Sequence, residues 1–299
     1  MLNENLLNAS PERLAPETAR RQIKDLIWPK NRARLVFFFR WYVLAWIIPI
    51  TLLIGWQVGA DNGWIDSRLL SSPLLVARAA IKLTLSGTLL NDIAVSAWRA
   101  LAGLVIGGVI GFVLGLIVGL SRIGETLLDT TIQMIRTIPF LSILPLVILW
   151  FGIEDRARIV LIALGVFFSL YINTFHGIRN IDAGLVEMGK SYGLSPWNLF
   201  WQVIFPGALP SILLGLRLAL GVTWLGLIVA ETLAANDGIG HLATEAREFF
   251  RTSDLIFTMI LYALLGKSSD LITRFLERRL LRWHPSYQPT HKTRTIQGV

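Results

Sequence analysis

The sequence predicts an all-α, polytopic membrane protein with six transmembrane helices, and three observations carry that expectation. Hydrophobic residues make up 54% of the 299-residue chain and charged residues only 16%, whereas soluble domains run nearer a quarter charged. Mean hydropathy is correspondingly high, at +0.58. The apolar residues are gathered into six runs of about 20, each able to cross ~30 Å of hydrocarbon at 1.5 Å per residue. Basic residues lie between and beyond these runs, so the net charge of +8 points to membrane topology and away from nucleic acid. The chain has no cysteine, which excludes a disulfide, a thiolate metal site and a cysteine nucleophile.

Residues 1–40 form a basic extension with Arg13, Arg20, Arg21, Lys24, Lys30, Arg32, Arg34 and Arg40. The loose spacing of Leu14, Ile23, Leu26, Ile27 and Trp28 leaves two readings open, an amphipathic helix on the inner leaflet or a basic tail. Met1–Pro16 is polar and shows no cleavable signal pattern. A six-helix membrane domain then fills 41–283, and 284–299 is a short tail. Span one is expected over Trp41–Ala60, with Trp41, Tyr42, Trp46 and Trp56 as interfacial anchors and a kink at Pro49. Asp61–Asn91 reads as an external connection with a helical stretch near Leu74–Leu85. Span two, Ile93–Leu120, carries Gly103, Gly107, Gly111, Gly115 and Gly119. Glycines four apart leave one face of a helix bare, where another helix can approach closely.

Ser121–Asp129 reads as an internal turn. Span three, Thr130–Gly152, contains Pro139 and Pro145, which predict a broken helix against protein or a water-lined cavity. Span four is expected over Ile159–Ile178 and span five over Ser211–Thr232. Ala234–Asp254 follows as an external connection turning at Gly238-Ile239-Gly240. Span six covers Leu255–Phe275, and the end is basic again. An even number of spans puts both termini on one side. Roughly 17 basic residues fall on that side against about 8 on the other, which makes it the cytoplasm.

Between spans four and five lies the longest polar-punctuated interval, Gly184–Pro210. It predicts a short helix to about Tyr192, a break at Gly193, and a second helix capped by Ser195 with Pro196 at its first position. The second helix is expected to stop before Pro206. The whole is a rigid cytoplasmic knob.

No hydrolytic machinery is visible. His176, His241, His284 and His291 are scattered and have no ligand spacing, so no metal site is expected. Leu265-Gly266-Lys267-Ser268 ends like a phosphate-binding loop, but Leu261 stands where the first glycine is required. The charges inside spans are more informative, because each costs a few kcal/mol at mid-membrane unless paired or solvated. Lys267 and Asp270, three apart, neutralise each other. Arg99 and Arg136 lie near span ends, within snorkelling reach of water. For Arg217 two readings stand, contact with a small oxyanion or a fixed structural pair.

Glu187, Gly193 and Val203-Ile204-Phe205-Pro206 resemble the loop by which permeases of binding-protein-dependent ABC importers engage their ATPase. Met188, Gly189 and Phe205 depart from that pattern. Arg136-Thr-Ile-Pro139, followed by Pro145-Leu-Val-Ile-Leu-Trp-Phe-Gly152, is similar to the nitrate/sulfonate/taurine branch of these permeases. Tyr171–Asp182, Ile228-Val-Ala-Glu231-Thr, Leu261–Lys267 and Arg279–Pro285 resemble its aliphatic-sulfonate members in particular.

The resemblance implies the type I ABC importer permease fold in a bacterial inner membrane. It further implies a second copy of the chain, a cytoplasmic ABC ATPase dimer, and a periplasmic or lipid-anchored binding protein. ATP and magnesium would be bound by the ATPase, with no cofactor or nucleic acid on this chain. The coupling residues carried over are Glu187, Met188, Gly189, Tyr192, Gly193, Leu194, Ser195 and Pro206. The pathway candidates are Arg136, Arg217 and Glu231. No role carries over to the long N-terminal extension.

Nitrate, taurine, bicarbonate or a vitamin precursor compete with alkanesulfonate as the transported solute. From other classes, an ion-gradient-driven secondary transporter would show inverted repeats or paired interrupted helices. A membrane-embedded enzyme would cluster His, Asp or Glu at one depth. Neither signal is present.

Overall fold

The computed structural model describes residues 29–283; the expectations for the first 28 residues and for 284–299 lie outside them. Every regular element among the described residues is helical: α1 (Pro29–Asp61), α2 (Pro73–Leu85), α3 (Thr88–Leu120), α4 (Arg122–Arg136), α5 (Phe140–Phe151), α6 (Asp155–Arg179), α7 (Ala183–Ser191), α8 (Pro196–Leu233), α9 (Ile239–Glu248) and α10 (Thr252–Leu280). The chain divides after Asp66 into two units. The first contains α1, which runs through Pro49 without interruption. The second contains α2–α10.

Four helices, α3, α6, α8 and α10, are each long and apolar enough to cross a membrane, and α4 with α5 makes a fifth span bent by 82°. The described apolar stretch of α1, Trp46–Asp61, is shorter than a crossing helix. The expected six spans therefore stand at up to five among the described residues. The bend falls where the prolines predicted it, but only one of the two causes it. Pro139 follows a residue that proline pushes out of the helical region, whereas Pro145 sits in the first turn of the Leu144–Phe151 helix, where a missing N–H costs nothing.

The glycine stripe of α3 meets α6 along its whole length. A Cβ on Gly107 would lie 2.1 Å from the Ala163 carbonyl oxygen, and one on Gly111 would lie 2.5 Å from that of Phe167. Gly103, Gly115 and Gly119 face Ile162, Thr174 and Ile178 in the same way. The opposite face of α6 packs on α8 by a similar device, with Gly165 against Val222 and Gly215 against Asn173. Ile162, Val166 and Leu170 of α6, Ala100 of α3, and Ala219 and Leu227 of α8 close the core between them.

Three connections differ from the sequence expectation. The turn expected over Ser121–Asp129 is a single residue, Ser121, with extended backbone. Its hydroxyl accepts from the Gly124 N–H at 3.1 Å, so helix restarts at once. The external connection after α8 is largely the helix α9, whose Ile239, Leu242 and Ala246 are buried. Finally, the second helix of the knob does not stop at Pro206. Phe200–Ile204 form a π-turn in which the Phe205 N–H bonds the Phe200 carbonyl. The widened turn absorbs the proline's missing donor, and the helix continues into the span.

Because Gly107 abuts backbone, its neighbour has no flexible end to give. Gly107→Ala is expected to cost ~1–3 kcal/mol by overpacking, read as a lowered unfolding temperature in detergent. Gly266→Ala, where an added Cβ meets nothing within 4 Å, should leave that temperature unchanged.

Candidate functional site

Three constellations of the second unit hold polar or exposed residues that a fold alone does not require. The first is the knob between α6 and α8. Asp182 opens α7 by accepting from the Gly184 N–H at 2.8 Å. At the other end Gly193 takes φ +76°, a left-handed conformation that glycine adopts without penalty. Its N–H bonds the Lys190 carbonyl at 2.9 Å, and the Leu194 N–H bonds that of Gly189 at 3.1 Å. This pair of bonds is the Schellman closure, which satisfies the last carbonyls of α7. Ser195 then caps α8, accepting from the Asn198 N–H at 3.3 Å, with Pro196 in the first turn.

Gly189 is the buried contact between the two arms of the knob. A Cβ there would lie 2.7 Å from Leu199 and 3.3 Å from Leu194. The outward side of the knob is apolar: Met188 is 51% exposed, Tyr192 82% and Trp197 69%, with Trp201 beside Trp197 in an edge-to-face pair. Glu187 and Lys190 are exposed with them, and Pro206 is half-buried in the continuing helix. Trp197 and Trp201 were not singled out from sequence. Two tryptophans at i and i+4 in a polar connection were the available signal.

The second constellation is a buried ionic clasp at the far end of the bundle. Arg99 on α3 is 1% exposed, so it does not snorkel. Its Nη1 donates to Glu231 Oε1 at 2.9 Å and to the Asp237 carbonyl at 3.0 Å, its Nε donates to Asp155 at 2.8 Å, and its Nη2 donates to the Asp237 carboxylate. Ser96 lies 2.8 and 2.9 Å from the two Glu231 oxygens. Three consecutive backbone N–H groups close the arrangement, from Gly238 to Asp92, from Ile239 to Ser96 and from Gly240 to Glu231. A Cβ on Gly240 would stand 2.3 Å from that of Glu231, so glycine is required there. Glu231 on α8, expected on the pathway, thus accepts from Ser96 and Arg99 of α3, from the Gly240 N–H at the start of α9 and, at 3.4 Å, from the Tyr262 hydroxyl of α10.

The third constellation is a cavity of about 320 Å³ at the α4–α5 bend, lined by Arg136, Phe140, Phe168, Ser169, Asn173 and Val222 among others. Arg136 therefore faces the middle of α6 and α8, not a span end. Arg217 does not line it. Its guanidinium lies 3.4 Å from Asp270 and 3.3 Å from Glu277 on α10, which is the structural-pair reading. Lys267 also meets Asp270, at 3.4 Å. Ser169 and Asn173 went unnoticed in the sequence, although two polar residues four apart in an apolar span mark one helix face. No cluster of His, Asp or Glu among the described residues has the makings of a metal site.

A family model described as the binding-protein-dependent transport system inner membrane component matches residues 107–282. The chain belongs to this family. It is 58% identical over 245 residues to a putative aliphatic sulfonates transport permease, SsuC, of Escherichia coli K12, covering 82% of this chain and 93% of that one. It is 40% identical over 242 residues to the protein of the same description from Bacillus subtilis 168, covering 81% and 88%. The taurine transport system permease protein TauC of E. coli K12 is 35% identical over 68% of this chain and 74% of its own length. A solved amino acid ABC transporter shares the fold, with a TM-score of 0.56 and 19% identity over 67% of this chain and 97% of that one. The protein is therefore a multi-pass inner-membrane transport permease. It is a transport component and not the ATPase, which is a separate subunit in ABC importers.

Removing Arg99 strands the fully buried Glu231 carboxylate, while Asp155 and Asp237 stay half-exposed to water. Arg99→Ala is expected to cost roughly 3–5 kcal/mol, as for other broken buried pairs, measured by thermal unfolding of the solubilised protein. The double change Arg99→Met with Glu231→Leu should recover much of that loss.

Proposed function

We propose that this chain is the permease subunit of an ATP-driven importer of aliphatic sulfonates. The observation that carries the substrate class is the 58% identity to the E. coli sulfonate permease over 93% of that protein. The taurine relative is more distant, at 35%. In this reading two copies of the chain form the membrane core, with an ABC ATPase dimer on the cytoplasmic side and a substrate-binding protein on the outer side. ATP and magnesium are bound by the ATPase, and this chain carries no cofactor. Both termini and the knob lie in the cytoplasm, as the distribution of basic residues favours.

The knob is the coupling element. Its apolar outward surface, with Glu187, Met188, Tyr192, Gly193, Leu194 and Ser195, suits a groove on the ATPase, because exposed aromatic and Met side chains are typical of interface centres. Its interior supports transmission of force. Gly189 locks α7 against Leu199, and the π-turn carries the helix unbroken through Pro206 into the α8 span. A push on the knob thus reaches α8 without a flexible joint. The pathway runs along the face that bears Arg136, while Arg217 and Glu231 shape the helices beside it.

The deciding assay is uptake of labelled ethanesulfonate into proteoliposomes that hold the permease, its ATPase and its binding protein. ATP-dependent uptake competed by sulfonates, and not by nitrate, taurine or bicarbonate, is expected. Competition by one of the others moves the substrate, and uptake without ATP overturns the mechanism in favour of a secondary transporter. In the same vesicles Gly193→Val forces a β-branched residue toward a left-handed backbone, a strain of ~1–2 kcal/mol. The complex should assemble, yet ATP hydrolysis should no longer drive uptake; unimpaired uptake would remove the knob from the mechanism.

A further inference from the structure

The bundle treats its arginines unequally. Arg99, Arg158, Arg179 and Arg217 each meet at least one carboxylate within 4 Å. Arg136 meets none among the described residues, and the cavity it lines contains no acidic side chain. Depth makes that absence informative. Ser169 and Asn173 lie ~21 and ~27 Å along an α6 about 37 Å long, at 1.5 Å per residue. Leu218 and Val222, which line the opposite wall, fall near the middle of α8. Arg136 is exposed at the open mouth of this cavity, and a guanidinium at that depth of the bundle needs a counter-charge or water.

The rest of the lining says what kind of counter-charge fits. Asn173 donates one amide N–H to the Ser169 carbonyl at 2.8 Å, and its second N–H has no partner among the described residues. Phe140, Phe168, Leu218 and Val222 supply an apolar wall. The volume of about 320 Å³ is at the small end for ligand sites.

We propose that this cavity is an intramembrane binding site for a small monovalent organic oxyanion, its head on Arg136 and Asn173 and its apolar chain against Phe140 and Phe168. This inference rests on the reading of the chain as an anion importer. It also deepens that reading. A planar guanidinium offers paired N–H donors to two oxygens of one group, and a single positive charge neutralises a monoanion and leaves a dianion unbalanced. The apolar wall favours an alkylsulfonate over nitrate or bicarbonate, which have no chain to bury. The lack of any acidic residue in the lining disfavours the ammonium group of taurine.

The chain's lack of cysteine makes the test direct. In the complete transporter, in vesicles of neutral lipid, Ser169→Cys is labelled with a thiol reagent in the presence and absence of ethanesulfonate. Ethanesulfonate should slow labelling at least several-fold, and taurine should do so much less. Arg136→Gln in the same background should abolish the protection, and Arg136→Lys should keep part of it. Phe168→Ala should weaken protection by hexanesulfonate more than by methanesulfonate.

Protection that survives Arg136→Gln overturns the proposal. So does protection that needs no sulfonate and appears only with anionic lipid, since the occupant would then be a lipid headgroup. Equal loss for the long and short chains in Phe168→Ala overturns the apolar subsite. ATP-driven sulfonate uptake without any protection at position 169 sinks the site and leaves the importer standing. Absence of ATP-driven sulfonate uptake sinks the importer reading instead.

Discussion

The seam between α3 and α6 is the contact on which the rest of the bundle depends. Within a bilayer there is no hydrophobic gain in bringing two apolar helices together, because lipid chains are as apolar as leucine. Association then rests on close van der Waals approach, which small residues permit. The glycines of α3 bring it against α6 over ~4 helical turns, with backbone contact at Gly107 and Gly111. Helix α6 becomes a central post, with α3 against one face and α8 against the other. The knob hangs from the end of that post, and the cavity is cut into its side.

Where helices of this bundle meet, charges are paired across the contact, and Arg136 at the bend departs from that pattern. At one end of the bundle Glu125 pairs with Arg179, and Asp129 accepts from the Tyr171 hydroxyl at 2.9 Å, tying α4 to α6. At the other end Arg99 gathers carboxylates from α6, α8 and the approach to α9. On α10, Asp270 and Glu277 hold Arg217. The buried Arg99–Glu231 pair gains little over an apolar substitute, but it fixes which residues must meet. These pairs register the helices. Arg136, at the bend, registers nothing and faces open space, which sets the cavity apart from the scaffold.

Stiffness is the property the knob and α8 share. The Schellman closure, the serine cap and the Gly189 contact each remove a degree of freedom from a segment that would otherwise be a loop. The π-turn then solves the problem that proline poses to a continuous helix. A segment made in this way is one rigid piece, and it extends to the depth of Leu218 and Val222, where α8 forms one wall of the cavity. The knob's exposed face and the cavity are thus two points on one element.

Local sequence was enough for the helical class, the close-packed stripe, a break in the span that carries Pro139 and Pro145, and both caps of the knob at Gly193 and Ser195. All of these are local: apolar run length, glycine spacing, and the backbone preferences of proline and glycine act within a few residues. It also showed that charges inside spans needed partners. Which partners they found was decided only by tertiary structure, since Arg99 meets Glu231 across 132 positions of chain and Arg217 meets a different helix. The continuation of α8 through Pro206 was likewise hidden, because a π-turn depends on how the flanking residues pack, and a proline read locally says stop. The empty place beside Arg136 was not legible either. A cavity belongs to no residue; it is what remains when α5, α6 and α8 have packed as closely as their side chains and one 82° bend allow.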